Sequence, residues 1–223
     1  MKLFSKPRIK ICCISSINEA KLAIEYGASA LGFVTEMPSG PGVISESLII
    51  EIVREIPPPI ATFMLTSKTD VKEIILQQRR CRTNTIQLVD KIEYDKYNEL
   101  YDALPGISIV QVIHVTGEES IEEALHISSE VDAILLDSGN PNLAVKELGG
   151  TGRIHNWSIS RKIREAISVP IFLAGGLNPE NVIAAIREVG PFGLDVCSGV
   201  RTNGKLDGDK LGHFFTEVNK CEF

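Results

Sequence analysis

The feature that most constrains this chain is an eightfold alternation of two kinds of segment. Short apolar or β-branched runs are each followed by an amphipathic stretch: 9–14 then 18–26, 30–34 then 45–56, 60–65 then 70–81, and 85–89 then 94–104. The second half repeats the pattern with 108–115 then 121–129, 133–136 then 158–167, 171–174 then 180–189, and 193–196 then 207–218. Runs of this length bounded by turn residues read as buried parallel strands, and the stretches of helical period read as crossovers between them. Eight such units exceed what an open sheet of five or six strands uses. The pattern therefore predicts an α/β fold, a single (β/α)8 TIM barrel forming one domain over residues 1–223. The run Pro57-Pro58-Pro59 falls between an expected helix and an expected strand, so it reads as a rigid connection and not as a linker.

Composition agrees and narrows the partners. With 223 residues and 43% hydrophobic content the chain can fill one such core. A net charge of −6 without long blocks of one sign argues against a nucleic-acid surface and against a polybasic membrane anchor. The start, MKLFSKPRIK, has no apolar region of signal length, and no stretch approaches 18 apolar residues. The expectation is a cytoplasmic protein without nucleic-acid or membrane partners. Cys12, Cys13, Cys81, Cys197 and Cys221 form neither a disulfide framework nor a CxxC pattern, and His114, His126, His155 and His213 lack metal-ligand spacing. Reduced thiols and no metal are expected.

The chemistry-bearing signals cluster after the expected strands. The longest connection, 137–156, is rich in glycine and follows the sixth strand, where a barrel places its catalytic loops, so it reads as a lid. Three glycine turns follow strands six to eight: Gly149-Gly150-Thr151-Gly152, Gly175-Gly176-Leu177 and Ser198-Gly199-Val200. Glycine lets backbone N–H groups approach a phosphate closely, and barrels commonly bind phosphate after strands seven and eight. Asn178 followed by Pro179 reads as a helix start, and Asp195 as an internal hydrogen-bonding partner near that end. Alternation along the first strand places Lys10, Cys12 and Ile14 on one face, and along the sixth it places Leu135 with Asp137. A buried cysteine can be a small hydrophobe, and an aspartate before a Gly/Asn/Pro-rich loop can be a turn former. Opposed at a barrel mouth, the two could instead be a base and an acid.

Several of these pieces, in this order, resemble phosphoribosylanthranilate isomerases: Lys10-Ile11-Cys12-Cys13-Ile14-Ser15, Gly27 to Val34, Ile86-Gln87-Leu88, Leu135-Leu136-Asp137, Gly149-Gly150-Thr151-Gly152 with Asn156-Trp157-Ser158, Gly175 to Val182, and Asp195 to Val200. The resemblance implies an Amadori rearrangement of an N-(5-phosphoribosyl) amine to a 1-amino-2-ketose phosphate in tryptophan biosynthesis, with no cofactor. It implies Cys12 as general base and Asp137 as general acid. Gly150, Gly152, Gly175, Gly176, Ser198 and Gly199 are the expected phosphate contacts, and Gln87 and Arg153 are candidate substrate contacts. The partner is a small phosphorylated sugar, and the expected state is a monomer or a homodimer.

The chain also departs from the family pattern. Gly42 stands where the resemblance leads one to expect an arginine that grips the anthranilate carboxylate, leaving Arg153 or Arg82 to replace it. Cys13 replaces a usual glycine, and Val89 a frequent histidine. Two further readings therefore stay open: a paralogue acting on another phosphoribosyl amine, and a non-catalytic phosphosugar-binding barrel. His155 reads as a helix-entry residue, Trp157 as an anchor of the loop, and Ser158 as a helix cap.

Overall fold

The computed structural model describes residues 6–139, 143, 146, 148 and 152–221. Its elements run β1 (Arg8–Ile11), α1 (Ile17–Glu25), β2 (Ala30–Val34), α2 (Glu46–Arg54), β3 (Ala61–Thr66), α3 (Val71–Cys81), β4 (Thr85–Leu88) and α4 (Tyr97–Ala103). The series continues with β5 (Ser108–His114), α5 (Glu119–Ile127), β6 (Ala133–Asp137), α6 (Trp157–Ala166), β7 (Ile171–Leu173), α7 (Val182–Val189), β8 (Gly193–Val196) and α8 (Gly208–Asn219). The eight strands pair in parallel, each with the next, and β1 closes on β8 through Arg8 opposite Gly193 and Ile11 opposite Val196. The alternating segments do form the expected (β/α)8 TIM barrel.

Strand alternation sorts the apolar residues into two cores. Ile9, Ile11, Leu31, Met64, Ile86, Ile113, Ile134 and Leu173 point outward and pack under the helices. Phe63, Leu65, Val110, Val112, Leu135 and Phe172 fill the barrel. Phe63 meets Phe172 edge-on at a centroid distance of 5.7 Å, which plugs the interior beneath the site.

The helix N-termini lie at the same end as the strand C-termini and are capped by the residues that polar spacing favours. Side-chain oxygens of Ser16, Ser45, Asp70, Asn156 and Asp207 accept first-turn N–H groups of α1, α2, α3, α6 and α8. The cap of α6 is thus Asn156, and the expected cap Ser158 is instead the donor, through its backbone N–H. Asn178 takes the N–H groups of Glu180 and Asn181 in a turn, so α7 begins at Val182, later than Pro179 suggests.

Alternation fails at one place, the end of β1. Cys13 has φ +63°, a left-handed conformation unusual for a residue with a side chain. The reversal turns both Cys12 and Cys13 into the barrel core and sends Ile14 to the outer core, so Ile14 does not share the face of Lys10 and Cys12. Arg201 holds this corner in place: its guanidinium donates to the carbonyls of Cys12 (3.1 Å) and Cys13 (2.7 Å) and pairs with Glu19 at 2.9 Å.

Candidate active site

The floor of the site is an ion pair inside the barrel. Lys10 is fully buried and donates to Asp195 at 2.8 Å, with the ring of Phe63 5.2 Å from its Nζ. Two desolvated charges are tolerable only because they neutralise each other. Burial opposes the lysine's charge, but Asp195 and the neighbouring thiols outweigh it and hold Lys10 above the usual lysine range. Asp195 is therefore the internal partner expected of it. A Cβ added at Gly32 would lie 3.0 Å from both Lys10 Nζ and Cys12 Sγ. Gly32 leaves room for both, so the ammonium sits beside the Cys12 thiol.

Above this floor, at the C-terminal ends of the strands, opens a cleft of about 690 Å³, its mouth included. Cys12 lines it from the end of β1 and Asp137 from the end of β6. Asp137 is 8% exposed, and burial raises its carboxyl above the ordinary carboxylate range despite the N–H of Ser138, which Oδ1 accepts at 2.7 Å. A carboxyl whose proton is held more tightly than usual is the kind of group that serves as a general acid. Gln87, on β4, also lines the cleft, and its buried Oε1 takes no hydrogen from any described residue.

The glycine turns converge on the other side. Gly152, Gly175, Gly176 and Ser198 line the cleft. Gly175 and Gly176 have φ +82° and +63°, and among the described residues neither N–H finds a backbone acceptor. At Gly176 a Cβ would come within 2.8 Å of the Arg153 carbonyl carbon, and at Gly199 within 2.0 Å of the Leu177 carbonyl oxygen. The three turns interlock through these contacts. Gly199 and Arg153 adjoin lining residues without lining the cleft themselves, and Gly150 lies outside the described residues. Part of the expected lid, too, lies outside them. Its described residues include Leu148, buried in the cleft wall, and Lys146, whose carbonyl accepts from Ser39 at 2.6 Å. His155 meets Ser160 at 2.7 Å, and burial pushes its pKa down to about 4.

The two departures in the remaining wall are one feature. A Cβ at Gly42 (φ +80°) would sit 2.5 Å from Cys13 Cβ. While Cys13 keeps its side chain and its left-handed turn, position 42 has no space for an arginine. Arg82 does not replace it, because it is the C-cap of α3 and lies at the opposite end of the barrel.

A family model described as N-(5'phosphoribosyl)anthranilate (PRA) isomerase matches residues 9–217. The chain belongs to the phosphoribosylanthranilate isomerase family. Among its relatives in the family, N-(5'-phosphoribosyl)anthranilate isomerase 2 of Methanosarcina mazei is 38% identical, over 93% of this chain and 92% of its own. The phosphoribosyl anthranilate isomerase structure from Thermotoga maritima superposes with a TM-score of 0.83 at 30% identity, over 96% of this chain and all of the other. A phosphoribosyl anthranilate isomerase structure in complex with reduced 1-(o-carboxyphenylamino)-1-deoxyribulose 5-phosphate gives a TM-score of 0.80 at 28% identity, over 96% of this chain and all of that one.

Sequence reasoning placed Cys12, Asp137, Gln87 and the described glycine turns at this end, and the barrel brings them together. It missed the pairing of Lys10 with Asp195 and the contact of Cys13 with Gly42. A signal for the first was present: a lysine and an aspartate, each inside an otherwise apolar strand run, need each other.

Proposed function

We propose that this chain converts N-(5'-phosphoribosyl)anthranilate to 1-(o-carboxyphenylamino)-1-deoxyribulose 5-phosphate, a step of tryptophan biosynthesis, with Cys12 as base and Asp137 as acid. The observation that carries the proposal is a buried carboxyl and a thiol at the ends of two separate strands, facing one cleft whose far wall is glycine backbone. Asp137 gives its proton to the furanose ring oxygen as the C1–O bond breaks and the amine nitrogen forms a double bond to C1. Cys12 then removes the proton from C2, the C2–H electron pair forms C1=C2 as the C1=N pair returns to the nitrogen, and the resulting enol becomes the C2 ketone as its hydroxyl gives up a proton and C1 takes one up. Each transfer by a positioned side chain contributes on the order of 10²–10⁴-fold.

The phosphate is assigned to the N–H groups and hydroxyl around Gly152, Gly176 and Ser198, with Gly199 completing its turn. Backbone donors at such turns hold an anion without a cationic side chain. Gln87 can take a hydrogen bond from the substrate through Oε1. Arg153 carries the turn that Gly176 rests on. The same chemistry would fit a monomer or a homodimer.

One observation favours the second reading, a different phosphoribosyl amine: Cys13 closes position 42 to any cationic side chain. Turnover of freshly made N-(5'-phosphoribosyl)anthranilate, followed by loss of its fluorescence, tests both. Turnover that collapses in Cys12→Ala and in Asp137→Ala supports the first reading. No wild-type turnover, with a phosphoribosyl amine lacking the carboxylate still converted, moves the assignment to the second.

A further inference from the structure

Beneath the mouth of the cleft, two sulfurs that the proposed isomerisation does not use are in contact. Cys13 Sγ and Cys197 Sγ stand 2.9 Å apart, although 184 residues separate them in the chain. Both line the cleft and both are free thiols. Register explains their meeting: Ile11 lies opposite Val196 in the β1–β8 ladder, so the chain brings the residues just beyond into adjacency, and the left-handed turn at Cys13 swings its side chain toward Cys197. A disulfide needs a sulfur separation of about 2.05 Å, so the two sulfurs have under about one ångström left to close.

We propose that Cys13 and Cys197 are a thiol modification site that low-molecular-weight disulfides oxidise to an intramolecular disulfide bridging the end of β1 and the Ser198 turn. Cys197 is the partly exposed member of the pair and the one a reagent in the cleft meets first. The contact with Cys13 and the charge of Arg201 lower its pKa, while the neighbouring sulfurs of Cys12 and Cys197, with burial, raise Cys13 well above the usual thiol. Such a division gives one attacking and one resolving sulfur. The Cys197 thiolate attacks a sulfur of the reagent RSSR, the S–S bond breaks, and RS⁻ leaves. The Cys13 thiol passes its proton to that thiolate and its sulfur attacks Cys197 Sγ, expelling the second RS⁻. Two electrons move from the protein to the reagent, and the products are the Cys13–Cys197 disulfide, RSH and RS⁻.

The consequence for activity rests on the function proposed above. Cys13 adjoins the base Cys12, and Cys197 adjoins Ser198 of the phosphate turn, so the bridge pulls on both ends of the substrate site. Displacements of this order reduce turnover by up to about 10²-fold.

The test treats the protein with oxidised glutathione, alkylates the remaining thiols, digests, and looks by mass spectrometry for a peptide pair joined through Cys13 and Cys197. The expected result is that pair, with turnover lost in parallel and restored by dithiothreitol. Compared with its own untreated sample, Cys197→Ser should show neither the linked pair nor the loss, and Cys13→Ala should stop at a mixed disulfide of glutathione on Cys197, with no linked pair. Cys12 joined in place of either residue, or both thiols recovered alkylated after treatment, overturns the modification site. A linked pair with unchanged turnover overturns the effect on the active site. Because the linked peptide is read without any substrate, an untreated protein that turns nothing over defeats the isomerase reading and leaves this one to be judged by its mass.

Discussion

On the β7 and β8 side of the cleft, ligand space is bounded by backbone: the turns at Gly152, Gly175-Gly176 and Ser198-Gly199, packed so closely that a Cβ at Gly176 or Gly199 would strike neighbouring main chain. On the β1 and β2 side it is bounded by side chains, those of Cys13 and Met37 with Pro41 beside Gly42. The first wall offers donors fixed by the fold and indifferent to what is attached to the phosphate. The second is shaped by which side chains fit together. Changing one side chain there remodels the space for its neighbour, as Cys13 and Gly42 demonstrate, whereas a change in the glycine wall has to move the main chain. Conserving one wall while altering the other is how a phosphosugar barrel keeps its anchor and changes the group it accepts.

The comparison is sharpest where it should matter most, at the two residues that stand between the walls. Cys12→Ala and Asp137→Asn are each expected to lower kcat by on the order of 10²–10⁴-fold with little change in phosphate affinity. Fluorescence assays of kcat, with inorganic phosphate as competitor, check both parts. The raised pKa of Asp137 also predicts the pH dependence. An acid must be protonated to act, so kcat falls as pH rises through its elevated pKa, and that limb should vanish in Asp137→Asn. The same shift gives a stability contribution that is full below the unfolded carboxyl's pKa and lost as pH rises through the folded one.

Next in size is the floor on which both walls stand. Lys10→Met leaves Asp195 buried and unpaired, and breaking a buried pair in this way costs about 3–5 kcal/mol. Urea unfolding should show that loss, and the double variant Lys10→Met with Asp195→Leu should recover most of it. A single variant as stable as the parent would show that the pair contributes nothing to the floor.

How much of this was legible in the sequence follows the same division. The alternation of apolar runs was enough for the barrel, because each strand declares itself locally and closure follows from having eight. The glycine wall was legible for the same reason: a turn glycine after a strand carries its meaning within three residues. The side-chain wall was not. Lys10 meets Asp195 across 185 residues, and Cys13 meets Cys197 across 184, so no local pattern announces either. The left-handed turn at Cys13 is not announced by the residue itself, since that backbone is normally advertised by glycine or asparagine; its one signal was the glycine usual at this position in the family. It is this turn that defeats the expected placement of Ile14.

A smaller effect separates the walls by kinetics. Gly176→Ala places a Cβ 2.8 Å from the Arg153 carbonyl carbon at φ +63°. Such strain costs about 1–3 kcal/mol, and because the turn is proposed to grip the phosphate equally in substrate and transition state, it should appear mainly as a KM raised roughly tenfold, equivalent to about 1.4 kcal/mol. A fall in kcat at constant KM would move the phosphate away from this turn.

The smallest expected effect tests the other wall directly. Gly42→Arg forces a side chain into space held by Cys13, 2.5 Å from its Cβ, and overpacking of this kind costs about 1–3 kcal/mol. Cys13→Gly removes the obstruction and suits the left-handed backbone, whose φ of +63° glycine adopts freely. The pair should therefore be non-additive, with the double variant more stable than the sum of the single changes predicts, measured by denaturant midpoints in a double-mutant cycle. Additive losses would mean that the loop at 40–42 moves aside without involving Cys13. If coupling is found, the double variant also carries a guanidinium on the aglycone side, and comparing its KM for N-(5'-phosphoribosyl)anthranilate with that of Cys13→Gly alone measures what a cation there contributes to carboxylate recognition.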